Sequence, residues 1–148
     1  MMEEIRGMIT PRKVRRISLT QACIAWSAIG GGVIVILGAC LPWFSLFAGL
    51  QPYRGVDVLN GRLLTGGGIL SLLAGAWFFR RGDHSLRWGI GLLGFVMLAF
   101  ASWSVVQLFI LYRELAADPM LVAKPGPGLI VVTVGALLVF VTLFLSDR

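Results

Sequence analysis

The side chains that could perform chemistry are concentrated in two short polar stretches of an otherwise apolar chain. The first stretch holds four of them: Tyr53, Arg54, Asp57 and Asn60. The second stretch, much later in the chain, contributes Glu114 and Asp118. Two carboxylates facing each other could act as general acid and general base. However, nothing in the sequence sets their spacing, and no nucleophile–base pair accompanies them. We therefore predict no enzymatic activity and name no catalytic residue.

Metal and thiol chemistry have little support either. His84 is the only histidine, and a single histidine is a poor metal site. The two cysteines, Cys23 and Cys40, fall in one apolar run. On a single helix they would lie about 25 Å apart, too far for a disulfide. The chain has no C-x-x-C motif. The sequence therefore predicts no metal site and no cofactor.

Cys40 has one alternative role, as a lipid attachment site. The preceding residues spell "LGAC", which matches a bacterial lipobox, and a basic and an apolar region lie upstream. Against this, the apolar run is longer than the usual signal-peptide core of about 7–15 residues. Apolar "LPWFSLF" also follows, where a polar tether would be expected. Lipidation of Cys40 is left open.

The composition indicates a membrane protein. Of 148 residues, 57% are hydrophobic and only 14% are charged, with a mean hydropathy of +0.87. A soluble domain would carry roughly 25% charged residues. The net charge of +6 would suit nucleic acid, but the basic residues form short clusters between apolar runs instead of one exposed face. This pattern argues against nucleic acid as a partner.

Four apolar runs predict the fold. About 20 helical residues cross a bilayer core that is about 30 Å thick, and each span must be helical because unpaired backbone groups are costly in lipid. The expected fold is an all-α, integral membrane four-helix bundle over residues 22–148, after a basic segment at 1–21. The third run is long enough to tilt or protrude. The predicted spans are residues 22–41, 63–79, 88–112 and 129–145.

The basic residues predict the orientation, because they are enriched in cytoplasmic flanks. Nine flank the ends that would share one side: Arg6, Arg12, Lys13, Arg15, Arg16, Arg80, Arg81, Arg87 and Arg148. Four flank the other side: Arg54, Arg62, Arg113 and Lys124. Both termini are therefore predicted to be cytoplasmic. No organelle-targeting pattern is present, so a multi-pass protein of the bacterial plasma membrane fits best.

Two sets of residues are predicted to make contacts. Helices in lipid pack through small residues, and the predicted interface residues are Ser27, Gly31, Gly67, Ser71 and Gly75. They would meet either the chain's own helices, or a second copy or another membrane protein. Anionic lipid headgroups would be bound by the basic cluster of Arg12, Lys13, Arg15 and Arg16.

The segment between the first two spans predicts a helix boundary. Pro42 would end the first helix, and Trp43 would lie at the outer headgroups. Trp26, Trp77 and Trp88 also fall near predicted span ends, as an aromatic belt should. "FSLFAGL" would lie in the membrane interface, and "QPYRG" and "NG" would form turns. Asn60 is expected to N-cap the next helix.

The same segment carries the chain's one resemblance to a known family. "LPWFS", followed by "GVDVLNGRLL" and a glycine-rich helix, resembles small four-span bacterial membrane proteins of unassigned function. The tryptophan-associated transmembrane proteins of actinobacteria are the named set most similar. The resemblance covers the first half of the chain, and the surrounding helices match no detailed motif. It implies a four-helix membrane protein and no catalytic residues.

Two functions remain as hypotheses. No span contains Asp, Glu, Lys, Arg or His, which ion-coupled transport usually needs. The leading hypothesis is therefore a non-enzymatic accessory or assembly subunit of a larger membrane complex. The alternative is a small oligomeric transporter, or a carrier of lipid or another apolar ligand. That alternative is suggested by Gln107 and by the glycine triplets at residues 30–32 and 66–68.

Overall fold

The computed structural model describes residues 19–46, 51–115 and 124–145, and this part of the chain is mostly helical. The elements in chain order are α1 (Leu19–Cys40), β1 (Pro42–Leu46), β2 (Gln51–Arg54), a 3₁₀ turn (Gly55–Asp57), α2 (Leu59–Arg81), α3 (His84–Leu115), β3 (Lys124–Pro125) and α4 (Gly128–Val141). Helices α1, α2 and α3 are long and apolar enough to cross a membrane. They confirm the helices expected at the first three apolar runs. The predicted lipid-binding cluster, Arg12 to Arg16, lies outside the described residues.

The fourth predicted span is shorter than expected. Helix α4 has 14 residues, or about 21 Å at 1.5 Å per residue, against a bilayer core of about 30 Å. Beyond Val141 the chain tightens into i→i−3 bonds, the first from the Thr142 N–H to the Val139 carbonyl at 3.2 Å. The Thr142 hydroxyl donates to the same carbonyl at 2.7 Å. The regular α-helix therefore ends four residues before the predicted end at residue 145.

Neighbouring helices run antiparallel, with α1 between α2 and α4. The α1–α2 contacts pair Gly32 with Gly68 and Ala28 with Ser71. Helix α3 packs mainly against α4. Gly91 of α3 lies beside Leu143, just after the end of α4. The packing between α2 and α3 is much looser. The described helices therefore enclose a core around α1 and leave a gap between α2 and α3.

Glycines bring the backbones of adjacent helices together. A Cβ atom added to Gly32 would lie 2.7 Å from the Gly68 carbonyl oxygen, and one added to Gly31 would lie 2.8 Å from that of Gly135. Such separations are too short for any other residue type without moving the helices. Without a hydrophobic force between helices in lipid, this close van der Waals contact is a main source of stability.

A small antiparallel sheet, in the order β2-β1-β3, caps one end of the helices. Phe44 of β1 pairs with Tyr53 of β2, and their rings stack at 4.8 Å between centroids. The expectation of an all-α chain is therefore incomplete, and "QPYRG" is a strand leading into a 3₁₀ turn instead of a turn. Pairing with β1 and β3 satisfies backbone groups that a loose interfacial segment would leave to water or lipid. We call this end of the molecule the sheet end.

The expected N-cap of α2 needs correction. Val58, not Asn60, occupies the N-cap position, and Asn60 already lies in the first helical turn. Among the described glycines only Gly82 has a positive φ, 63°, where it ends α2 in a left-handed conformation. That conformation costs glycine least. Gly55, the last residue of the "QPYRG" stretch, begins the 3₁₀ turn without a positive φ.

Trp43 is a core residue and not a headgroup anchor. It is 5% exposed, and its Nε1–H donates to the Gly38 carbonyl at 3.2 Å. Its ring lies directly against Gly55 and Gly128, where no side chain stands in the way. Trp26, Trp77 and Trp88 are 67%, 53% and 61% exposed. The expected belt position is therefore wrong for Trp43, because the sheet and two glycines enclose its ring.

Candidate functional site

Within the described part of the chain, the polar residues proposed for chemistry do not come together in one site. The Asp57 carboxylate accepts a hydrogen bond from the Arg54 backbone N–H at 3.3 Å, which caps the 3₁₀ turn. Tyr53 stacks on Phe44 as part of the sheet. Glu114 is exposed near the end of α3, and Asp118 lies outside the described residues. In residues 19–46, 51–115 and 124–145, no group of three or more metal-ligating side chains is present.

His84 has a local structural contact. It lies at the start of α3, at the end of the molecule opposite the sheet. The Trp88 indole N–H donates to its Nε2 atom at 3.2 Å, one helical turn further on. Nearby, the Arg81 guanidinium lies 4.8 Å from the centre of the Trp77 ring. These contacts organise the turn between α2 and α3.

The predicted small-residue positions on α2 face other helices of the same chain. The Ser71 hydroxyl is buried and donates to the Ala28 carbonyl of α1 at 2.9 Å. Gly75 also faces α1, where an added Cβ would lie 3.1 Å from that of Ala28. Gly67 points instead toward α3, where its added Cβ would lie 3.0 Å from the Met97 sulfur.

The two predicted positions on α1 are four residues apart and share one face of that helix, but they differ in burial. Gly31 is buried against α4, whereas Ser27 is half-buried. The small-residue stripes that sequence reasoning assigned to one interface are thus divided among contacts of α1 with α2, α1 with α4, and α2 with α3. These surfaces are largely used within the chain.

The gap between α2 and α3 forms an apolar groove of about 460 Å³. Gly66 and Gly67 line it on α2, and Val96 and Phe100 line it on α3. A Cβ added to Gly66 would meet no atom within 4 Å, so this position opens onto the groove. The groove volume lies within the range of about 300–1,000 Å³ that is typical of small-molecule sites.

Polar groups lie at the sheet end of this groove. Among the described residues that line it, Arg62 is the one with a charge, and its Nε–H donates to the Val56 carbonyl at 3.0 Å. Where α2 and α3 face each other at this end, the Asn60 amide of α2 donates to the Gln107 amide oxygen of α3 at 3.5 Å. The groove therefore has an apolar interior and a polar end with hydrogen-bond donors and one positive charge.

Sequence reasoning missed this groove, although a signal for it exists. Arg62 and Gly66 are four residues apart, so they lie on one face of α2. A basic residue followed one turn later by glycine, which has no side chain, is consistent with a cleft next to a charge. The triplet at residues 66–68 suggested close packing or, in the alternative hypothesis, a transporter, and packing describes Gly68 but not Gly66.

The end of α3 is a second exposed feature of the sheet end. The helix has 32 residues and is therefore about 48 Å long. In its last turns the side chains are exposed in almost every direction, including Phe109 at 67% and Ile110 at 53%. Leu111 and Tyr112 are 40% and 42% exposed. This apolar helix end has few neighbours among the described residues.

Comparison with protein-family models, with curated proteins and with solved structures finds no match to this chain. The resemblance to the tryptophan-associated transmembrane proteins therefore stays a prediction.

Proposed function

We propose that the four helices form a transmembrane bundle in the bacterial plasma membrane, with both termini in the cytoplasm. Three helices of spanning length support this proposal, together with the antiparallel course of neighbouring helices. The excess of basic residues in the sequence flanks predicted to be cytoplasmic, nine against four, supports the orientation, and Arg80, Arg81 and Arg87 of these lie at the described end opposite the sheet. The sheet end then faces the outside, and α4 completes the bundle as a short fourth member.

Within this arrangement, we propose that the protein is a non-enzymatic accessory or assembly subunit of a larger membrane complex. The observation that carries the proposal is the exposed apolar end of α3. The hydrogen bond between Asn60 and Gln107 places Gln107 level with the start of α2. Helix α3 continues for eight residues beyond Gln107, or about 12 Å.

Within these last eight residues, Leu108 to Tyr112 are apolar or aromatic and favour an apolar environment, whereas Arg113 and Glu114 are charged. Helix α2 has 23 residues, or about 34 Å, and already accounts for a bilayer core of about 30 Å. Residues of α3 beyond Gln107 therefore reach the interface or the water outside it. A helix that is apolar on all sides is normally buried, and exposed apolar patches mark interaction sites. We infer that another membrane protein, with an apolar surface at this level, covers Phe109 and Ile110.

The proposal is tested by site-specific crosslinking in native membranes. A photoreactive phenylalanine analogue replaces Phe109 in one variant. In a control variant it replaces Trp26, which lies near the start of α1, away from the sheet end. We expect a crosslinked adduct with another protein at Phe109 and none at Trp26, because Trp26 faces lipid in the proposed bundle. Lipid adducts alone at both positions would contradict the subunit proposal. An adduct with the mass of two copies would assign the α3 end to a homo-oligomer instead.

The groove favours a second candidate, a carrier of lipid or another apolar ligand. Its volume of about 460 Å³ and its opening to the side suit such a ligand. A carrier must release its cargo, so purified protein in vesicles should accelerate exchange of a fluorescent lipid between leaflets. Unchanged exchange relative to protein-free vesicles would exclude a lipid carrier, whereas a stable partner at Phe109 would leave the subunit proposal in place.

A further inference from the structure

We propose that the groove between α2 and α3 is a binding site for one anionic phospholipid, with an acyl chain along the groove and the headgroup phosphate at Arg62. This inference goes beyond the subunit proposal. It rests on membrane insertion of the helices and does not depend on which side the sheet end faces. The lipid would come from the leaflet on the sheet side.

The dimensions of the groove fit the acyl chain of a single leaflet. Its lining on α2 runs from Arg62 to Leu70, nine residues that span about 12 Å. On α3 it runs from Phe100 to Leu93, or about 10 Å. Half of a bilayer core is about 15 Å thick. The groove therefore begins where a headgroup would lie and ends near the membrane centre.

The side chains of the groove match the two parts of a phospholipid. Apart from Arg62, every described lining residue is apolar or glycine, which suits a hydrocarbon chain. Leu63 and Leu70 are more than half exposed, as is Val96, so the cleft is accessible from the surrounding lipid. The site opens sideways, as expected for a ligand that arrives within the membrane.

The charge at the sheet end favours a negative headgroup. Arg62 uses its Nε–H on the Val56 carbonyl, which leaves the two terminal nitrogens of the guanidinium as donors. Within the described part of the chain, no carboxylate forms an ion pair with Arg62. Gln107 accepts from Asn60 through its amide oxygen, so its amide N–H groups are oriented as further donors. A phosphate accepts charge-assisted hydrogen bonds from such donors.

Gly66 is the position that makes the groove available. An added side chain there would project into open space, with no atom within 4 Å of its Cβ. Gly66→Leu should therefore fill the cleft without disturbing the packed helices. Leucine is also the better helix former. Gly89 is a matched control because it is exposed, helical and equally open, but lies outside the groove.

Native mass spectrometry of the delipidated full-length protein in mild detergent tests the site. The protein is titrated with phosphatidylglycerol and, separately, with zwitterionic phosphatidylcholine of the same acyl chains. We expect a first phosphatidylglycerol to bind at least tenfold more weakly to Gly66→Leu than to the parent, and with unchanged affinity to Gly89→Leu. Because Gly66→Leu alters no charge, its effect is separate from any lipid held by the basic segment at residues 1–21.

A second pair of variants tests the headgroup contact. Arg62→Gln should weaken the first phosphatidylglycerol roughly fivefold, as expected for one basic residue at a membrane surface. Arg80→Gln, at the opposite end of α2, should leave it unchanged. The lipid-free thermal midpoints of all variants are compared, so that misfolding is recognised.

Three outcomes would overturn the proposal. Equal phosphatidylglycerol binding by correctly folded Gly66→Leu and the parent would show that the groove is not the site. Equal binding of both lipids, unaffected by Arg62→Gln, would refute recognition of a negative headgroup. A dimer from which lipid is excluded, and which Gly66→Leu dissociates, would assign the groove to a second copy. None of these results bears on a partner at Phe109, so the two proposals fail independently.

Discussion

At the scale of single residues, Trp43 shows how burial changes the role of a side chain. Tryptophan beside a span end is typical of a membrane interface, yet here the indole is enclosed by the sheet and by Gly55 and Gly128. Its N–H also satisfies the Gly38 carbonyl near the end of α1, a group that helix geometry leaves without an internal partner. Trp43 therefore connects the sheet to the helices.

Trp43→Ala is expected to lower the free energy of unfolding by about 3–5 kcal/mol, because it removes a large buried ring and leaves a cavity. Trp43→Phe should cost less, since it keeps most of the packing and loses mainly the hydrogen bond. The measurement is chemical denaturation in detergent micelles. Trp103→Ala is the control, because that side chain is 59% exposed. Equal effects at both positions would show that Trp43 does not have this structural role.

At the scale of elements, the glycine triplet of α1 shows that neighbouring glycines have different roles. Gly31 meets α4 and Gly32 meets α2, whereas an added Cβ on Gly30 has no atom within 4 Å. The helical repeat of about 100° per residue turns consecutive residues toward different neighbours. A triplet therefore serves two helix contacts, and its third member leaves a surface position open.

Gly32→Ala should weaken the α1–α2 contact, because the new Cβ would stand 2.7 Å from the Gly68 carbonyl oxygen. Overpacking of this kind costs about 1–3 kcal/mol. Gly30→Ala should be neutral or stabilise the protein by about 0.5–1 kcal/mol through the better helix propensity of alanine. Both values come from denaturation in micelles. A Gly32→Ala protein as stable as Gly30→Ala would mean that α1 and α2 pack less closely than described.

At the scale of the whole molecule, the proposed topology places the sheet end outside and the α2–α3 turn in the cytoplasm. Asp57 and Ser85 are exposed positions at these two ends. In a background with Cys23 and Cys40 replaced by alanine, we expect an impermeant maleimide to label Asp57→Cys in intact spheroplasts. It should label Ser85→Cys only after the membrane is opened. The reverse pattern would refute cytoplasmic termini.

Much of the fold could be predicted from apolar run length alone. Lipid offers no partners to backbone groups, so long apolar segments have to be helical, and α1 to α3 begin and end within four residues of the predicted spans. Pro42 also marked the end of α1 correctly, since that helix stops at Cys40. The length of the fourth helix was overestimated, because composition does not reveal where an α-helix tightens into a 3₁₀ turn.

The candidate site could not be predicted in the same way. The amino-acid sequence by itself determined an apolar chain with long helical segments, because composition and spacing set the free energy of transfer into lipid; it also predicts that nine of the thirteen basic residues share one side. Only the tertiary structure decided which glycines are packed and which are open, that Trp43 is buried, and that Arg62 lies at the end of a groove. Those properties depend on contacts between residues distant in the sequence, such as Gly67 with Met97, and local patterns do not encode such contacts.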